Sequence, residues 1–112
     1  KTYYMKIRDK YIKEVRDGVK SMNIFSVSGQ KAVRVGDNII LISNTDKKSY
    51  VRTTVKRITT YRDWKEALEK NWQNDFKNLY STLEEALREC YRFYPKDEVE
   101  KYGIISFDIE PC

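Results

Sequence analysis

Asn38-Ile39-Ile40-Leu41-Ile42-Ser43 contains the longest aliphatic run in the chain, and the reading of that run decides the fold. Four aliphatic residues fall far short of the roughly twenty needed to cross a bilayer. With no polar residue set aside for water, they read as a β-strand covered on both faces. Val35-Gly36-Asp37 supplies a turn before the run, and residues 44–48 supply a hairpin loop after it. The loop leads into a long strand over residues 49–61. There Val51, Thr53 and Val55 alternate with Arg52, Thr54 and Lys56, so one side packs and the basic side faces out. Arg57 and Ile58 interrupt the alternation, which predicts a bend or bulge.

Upstream, Tyr3, Met5 and Ile7 alternate with Tyr4, Lys6 and Arg8, as in a half-buried strand. Tyr11, Ile12 and Val15 then recur at helical spacing over residues 9–17, with Asp9 as a cap and Gly18 as a left-handed stop. Residues 20–26 read as a second strand, followed by a polar loop containing Gly29, Lys31 and Arg34. Downstream of Tyr61 the period becomes helical. Trp64, Ala67, Leu68 and Trp72 share one helical face, and Leu83, Leu87, Cys90, Tyr91 and Tyr94 share another. Ser81-Thr82-Leu83-Glu84-Glu85 opens the second of these helices with a capping-box pattern. Pro95 ends it and begins a shorter helix, Gly103 stops that one, and residues 104–109 close the chain as a strand. The expected fold class is α+β: one domain over residues 1–112, built as a small mixed β-barrel of five to six strands with three to four flanking helices. Its first and last strands are expected to meet, since closure hides sheet edges.

The composition fits one globular domain, with 112 residues, 40% hydrophobic and 35% charged. There is no histidine, which excludes Ser-His-Asp and Cys-His triads and nearly every catalytic zinc site. Two cysteines are too few for a disulfide framework, and no apolar signal region stands near the N-terminus, so the expected location is intracellular, cytoplasmic or nuclear. The net charge of +5 is unevenly spread. Residues 1–60 carry fourteen Lys or Arg against five acids, whereas residues 61–112 carry eight against twelve. A basic half of this kind suits a polyanion.

Together, a short helix ending in Gly-x-Lys, the Val-Gly-Asp turn before an aliphatic strand, a Glu-Glu-Ala-Leu helix, Tyr-Pro and a Gly-Ile-Ile terminal strand resemble an ASCH domain of the PUA-like superfamily. The matching stretches extend over nearly the whole chain. The resemblance implies a β-barrel with a cleft between barrel and helices and an RNA- or nucleotide-associated role. The family also includes small amidohydrolases acting on acetylated cytidine and proteins described as ribonucleases. Its Gly-x-Lys-x-x-Glu-x-Arg signature falls on Gly18 and Lys20, but Asn23 stands for the glutamate and Phe25 for the arginine. Asparagine cannot take a proton at neutral pH, and phenylalanine cannot grip a phosphate or carboxylate, so the reading leans away from catalysis and keeps binding.

The expected nucleic-acid contacts follow. Lys20 neutralises phosphate, Asn23 and Phe25 meet a base, and Arg8, Arg34, Arg52 and Lys56 position the backbone of RNA, single-stranded DNA or a nucleotide. In an enzyme reading, Lys20 is central and Asp37 or Asp46 supplies a loop carboxylate. In a third reading, the acidic helical half docks a protein partner. Tyr61, Trp64 and Trp72 read as core, and Cys90 as a buried thiol. Glu84-Glu85-Glu89 and Asp97-Glu98-Glu100 lie among bases and read as solvated helix faces, so no metal, cofactor or membrane partner is expected.

Overall fold

The computed structural model describes residues 1–18, 23–27 and 32–112, and for residues 23, 24 and 75 only the backbone. It shows an α+β fold of five strands and four α-helices among these residues. In chain order they are β1 (Thr2–Ile7), α1 (Asp9–Arg16), β2 (Asn23–Val27), β3 (Asn38–Ser43), β4 (Tyr50–Tyr61), α2 (Trp64–Asn71), α3 (Leu83–Phe93), α4 (Lys96–Tyr102) and β5 (Ile104–Pro111). The strands form one mixed sheet in the order β1-β3-β4-β5-β2. The predicted meeting of first and last strands does not occur: β1 pairs in parallel with β3, while β5 lies between β4 and β2. With both sides of β5 occupied, β1 and β2 remain as the two edges, so the sheet is not a closed barrel.

By compactness the chain divides into two units. The first comprises residues 1–24, 32–58 and 107–112, and the second residues 25–31 and 59–106. In the first unit, β3 pairs in parallel with β1 and antiparallel with β4. Ile39 and Leu41 are fully buried, Ile40 is 7% exposed and Ile42 is half-buried, so one face of the strand is covered more completely than the other. Thr53 lies opposite Ile39, and its buried Oγ1 donates to the Ile39 carbonyl at 2.7 Å. Helix α1 packs against β3 and buries Ile12 and Val15 completely. Asp9 is its first residue rather than its cap. Arg8 occupies the cap without a side-chain bond, and Asp9 pairs with Lys13 at 3.6 Å in the first turn, where the helix dipole favours an anion. Gly18 takes the left-handed stop at φ +66°. On β4 the alternation of buried and exposed residues breaks at the consecutive exposed pair Lys56 and Arg57.

In the second unit, Trp64, Ala67, Leu68, Ala86, Val99 and Ile104 form the buried centre. Helices α2 and α3 begin in the same way. Asp63 caps α2 by accepting from Glu66 N, and Glu66 Oε1 accepts from Arg62 N at 3.0 Å. Thr82 caps α3 by accepting from Glu85 N, and Glu85 Oε2 accepts from Ser81 N at 3.2 Å. In both, the glutamate reaches back to the residue before the cap, satisfying an amide that would otherwise be orphaned. After α2 a π-helical turn runs over Trp72–Phe76 and closes with Lys77 N donating to Trp72 O at 2.8 Å. The sequence pattern does not distinguish it, because Trp72 and Phe76 are four residues apart and an α-helix would also place them on one face.

Gly103 follows α4 at φ +76°, ψ −170°, and a Cβ there would stand 2.9 Å from the Tyr61 carbonyl oxygen. Gly103→Ala is expected to cost about 2–3 kcal/mol. Gly18→Ala, where a Cβ meets nothing within 4 Å, is expected to cost about 1 kcal/mol. Urea unfolding of both variants checks the order; equal costs would refute the close approach.

Candidate nucleic-acid interface

The charge split seen along the chain persists between the units in weaker form. By sequence the first unit holds thirteen Lys or Arg against seven acids, and the second nine against ten. The difference shrinks because β5 brings Asp108 and Glu110 into the first unit, where they pair with Arg57 and Lys56. The Lys56–Glu110 pair is open to solvent at 3.6 Å, so it contributes little to stability while partly offsetting the lysine's charge.

The four described cations of the predicted backbone track, Arg8, Arg34, Arg52 and Lys56, are all exposed. Strand register spreads them along the sheet rather than gathering them at a point. Arg8 follows Ile7, which lies opposite Ser43 at the C-terminal end of β3; Arg52 lies opposite Ile40 in its middle. Lys56 follows Val55, whose N–H donates to Asp37 O, so it stands at the N-terminal end of β3, beside the turn that carries Arg34. At about 3.3 Å per residue the line is roughly 20 Å long. Lys20 lies outside the described residues, as do Lys31 and the loop around Gly29, and for Asn23 only the strand backbone is described.

The register also places side chains that the sequence reading did not single out. Tyr4, Ile40 and Arg52 form one cross-strand row, and Lys6, Ile42 and Tyr50 form the next. Tyr4 is 67% and Tyr50 55% exposed, and Lys6 and Arg52 are exposed. Residues of the opposite parity, Ile39, Leu41, Val51, Thr53 and Val55, are buried. Alternation along β1 already sets Tyr4 and Lys6 on the face opposite Tyr3, Met5 and Ile7. Their apposition to Arg52 and Tyr50, which are far away in sequence, is a product of strand pairing.

The two loop carboxylates proposed for an enzyme are engaged in turns. Asp37 Oδ2 accepts from Arg34 N at 2.9 Å, and Asp46 Oδ1 accepts from Lys48 N at 3.0 Å. That backbone bond holds the Asp37 carboxyl below the usual carboxylate range, which makes it a weak base at neutral pH. No group of three or more metal-ligating side chains occurs among the described residues, and among them no helix is long and apolar enough to cross a membrane.

In the second unit, Phe25 is half-buried in an aromatic cluster. Its ring lies 5.2 Å from Phe76, 5.8 Å from Trp64 and 6.4 Å from Tyr61, and Tyr94 Oη donates to its carbonyl at 3.3 Å. Trp64 is buried, and Trp72 packs on the same cluster half-buried, as their helical spacing predicts. Among the described residues, the Trp64 Nε1 is a buried donor without a partner. A cleft of about 550 Å³ is lined by Tyr61, Arg62, Glu66, Tyr102 and Ile105 among others. Its cation, Arg62, is already offset by Asp63 at 3.6 Å and Glu66 at 3.9 Å.

No known family model matches the chain, and no curated protein does. Its fold is similar to that of hypothetical protein PH0355, known from a crystal structure, with a TM-score of 0.78 and 25% identity over 100% of both chains. It is also similar to protein PF0455 from Pyrococcus furiosus, known from a solution NMR structure. There the TM-score is 0.72 at 22% identity, covering 99% of this chain and 97% of that one. Neither name states a ligand or an activity.

Burial, reinforced by the neighbouring Glu89 charge, pushes the Cys90 thiol up to about 11, whereas Cys112 is exposed. At pH 8 Cys90 is therefore almost wholly a thiol and poorly nucleophilic. Alkylation followed by mass spectrometry is expected to modify Cys112 quickly and the half-buried Cys90 much more slowly. Equal rates would contradict the packing around Cys90.

Proposed function

We propose that this chain is a non-catalytic nucleic-acid-binding module of the ASCH or PUA-like type, working inside the cell on RNA, single-stranded DNA or a nucleotide. The observation that carries the reading is the exposed line of cations across the first unit. Among the described residues, Lys6, Arg8 and Arg52 have no ion-pair partner, so their charge is available to phosphates. Arg34 and Lys56 extend the line toward the N-terminal end of β3. The family resemblance adds Lys20 as a phosphate contact and Asn23 as a base contact. Phe25, held by its ring neighbours, adds a partly exposed aromatic surface. Asn23 and Phe25 in place of the signature Glu and Arg favour binding over turnover, since asparagine cannot move a proton and phenylalanine cannot hold an oxyanion.

Fluorescence-anisotropy titration of single- and double-stranded RNA and DNA at low and moderate salt tests the reading, with an aliquot of each mixture examined for cleavage. Affinity is expected to fall with salt, with a log–log slope of about −0.7 per phosphate contact on a single strand. Arg52→Gln is expected to reduce that slope by about 0.7, the share of one phosphate contact. Flat titrations would overturn the proposal. Cleavage abolished by Lys20→Ala would replace it with a hydrolase of the same fold.

A further inference from the structure

The two outward rows of the β1–β3–β4 sheet have complementary composition. One runs Tyr4–Ile40–Arg52, and the next runs in the opposite sense, Lys6–Ile42–Tyr50. Each row therefore has a tyrosine at one end, a cation at the other and an isoleucine between, with tyrosine and cation exchanged from row to row. No acid stands in either row. Ile40 is only 7% exposed although it points outward, because Tyr4 and Arg52 flank it on both sides. Cross-strand neighbours of this kind support one another, so each isoleucine is an apolar residue set between the tyrosine and the cation of its row. The rings themselves stay open, at 67% exposure for Tyr4 and 55% for Tyr50. Exposed aromatics beside unpaired cations combine ring faces with charge that phosphates can take up.

We propose that this sheet face is a base-stacking platform for single-stranded nucleic acid, with Tyr4 and Tyr50 each taking one base and Lys6 and Arg52 taking the intervening phosphates. The inference rests on the nucleic-acid reading above and gives it a surface and a strandedness. Two neighbouring strand spacings and a two-residue offset put the backbones of Tyr4 and Tyr50 about 12 Å apart. One base cannot bridge that distance, so the face takes two bases that are splayed from one another. A duplex keeps its base faces stacked inside and offers none to the rings, whereas a single strand offers both. Stacking tolerates any base, so the platform selects strandedness rather than sequence. The diagonal cations fit a backbone crossing between the rings, where an acidic peptide would leave both tyrosine faces uncovered.

The test uses the full chain and fluorescein-labelled oligouridine and oligothymidine about ten nucleotides long, with a duplex of equal length as the third probe. Tyr4→Thr and Tyr50→Thr remove the rings while keeping strand propensity, and Tyr4→Phe and Tyr50→Phe keep the π-face. Each threonine variant is expected to weaken single-strand binding about tenfold without changing the salt slope. The phenylalanine variants are expected to bind as the parent does, and Lys6→Gln to lower the salt slope. Urea midpoints close to the parent's establish that the variants are folded. Threonine variants that bind like the parent would overturn the platform and leave the nucleic-acid reading standing on another surface, as would a duplex bound as tightly as the single strands. A parent that binds no oligomer at low salt would overturn both.

Discussion

The register of β3 between β1 and β4 is the constraint on which the first unit depends. Because side chains alternate strictly along a strand, a slip of one residue would exchange Ile39 and Leu41 for Ile40 and Ile42 on the packed face. On β4 the same slip would turn Arg52 inward in place of Val51 or Thr53, burying an unpaired charge. The buried hydrogen bond from Thr53 Oγ1 to Ile39 O at 2.7 Å links the correct partners and is lost in any other register. Hydrophobic packing on one face thus fixes the chemistry of the other: the rows that carry Tyr4, Arg52, Lys6 and Tyr50 exist because Ile39, Leu41, Val51 and Val55 must be dry.

Charge in the same unit is arranged rather than merely abundant. Glu110 and Asp108 of β5 stand against Lys56 and Arg57 further along β4, while Arg52 near the start of β4 and Lys6 on β1 meet no acid among the described residues. Neutralisation on one side and open charge on the other make a directed surface out of a modest excess of bases. Turn chemistry reinforces the division: Asp37 and Asp46 spend their oxygens on backbone amides and so lie in turns rather than across the tyrosine rows.

The second unit follows a different logic. Its helices are started by reciprocal capping in which Glu66 and Glu85 bond the amides of Arg62 and Ser81. Its interior is aromatic, with Phe25 touching Tyr61, Trp64 and Phe76. Some of the acids on its helices pair locally with bases three or four residues away, as Glu69 does with Lys65 and Glu89 with Arg92. Local pairing of this kind yields a solvated face and little net field.

The secondary structure was largely legible in the chain, because it is written in short-range signals. The aliphatic run at Ile39, the alternation from Val51 to Lys56, a hydroxyl cap at Ser81 or Thr82 and the stop at Gly103 each depend on a few neighbouring residues, and each appears in the structure, with Thr82 as the cap. The π-turn after α2 was not legible, since its hydrogen bond shifts by one residue without altering the spacing of Trp72 and Phe76. The cap of α1 at Arg8 instead of Asp9 was misplaced for a similar reason: either residue is compatible with the same apolar period. Strand order lay beyond the sequence. Nothing in β5 says that it pairs with β4 and β2 rather than with β1, because pairing is decided by which edges remain available once the core has packed. By itself the sequence determined the elements, the outward parity of Arg52 and Lys56 and the excess of basic charge. Only the tertiary structure decided which exposed residues meet, because cross-strand neighbours such as Tyr4 and Arg52 are joined by hydrogen-bonded register between strands far apart in the chain.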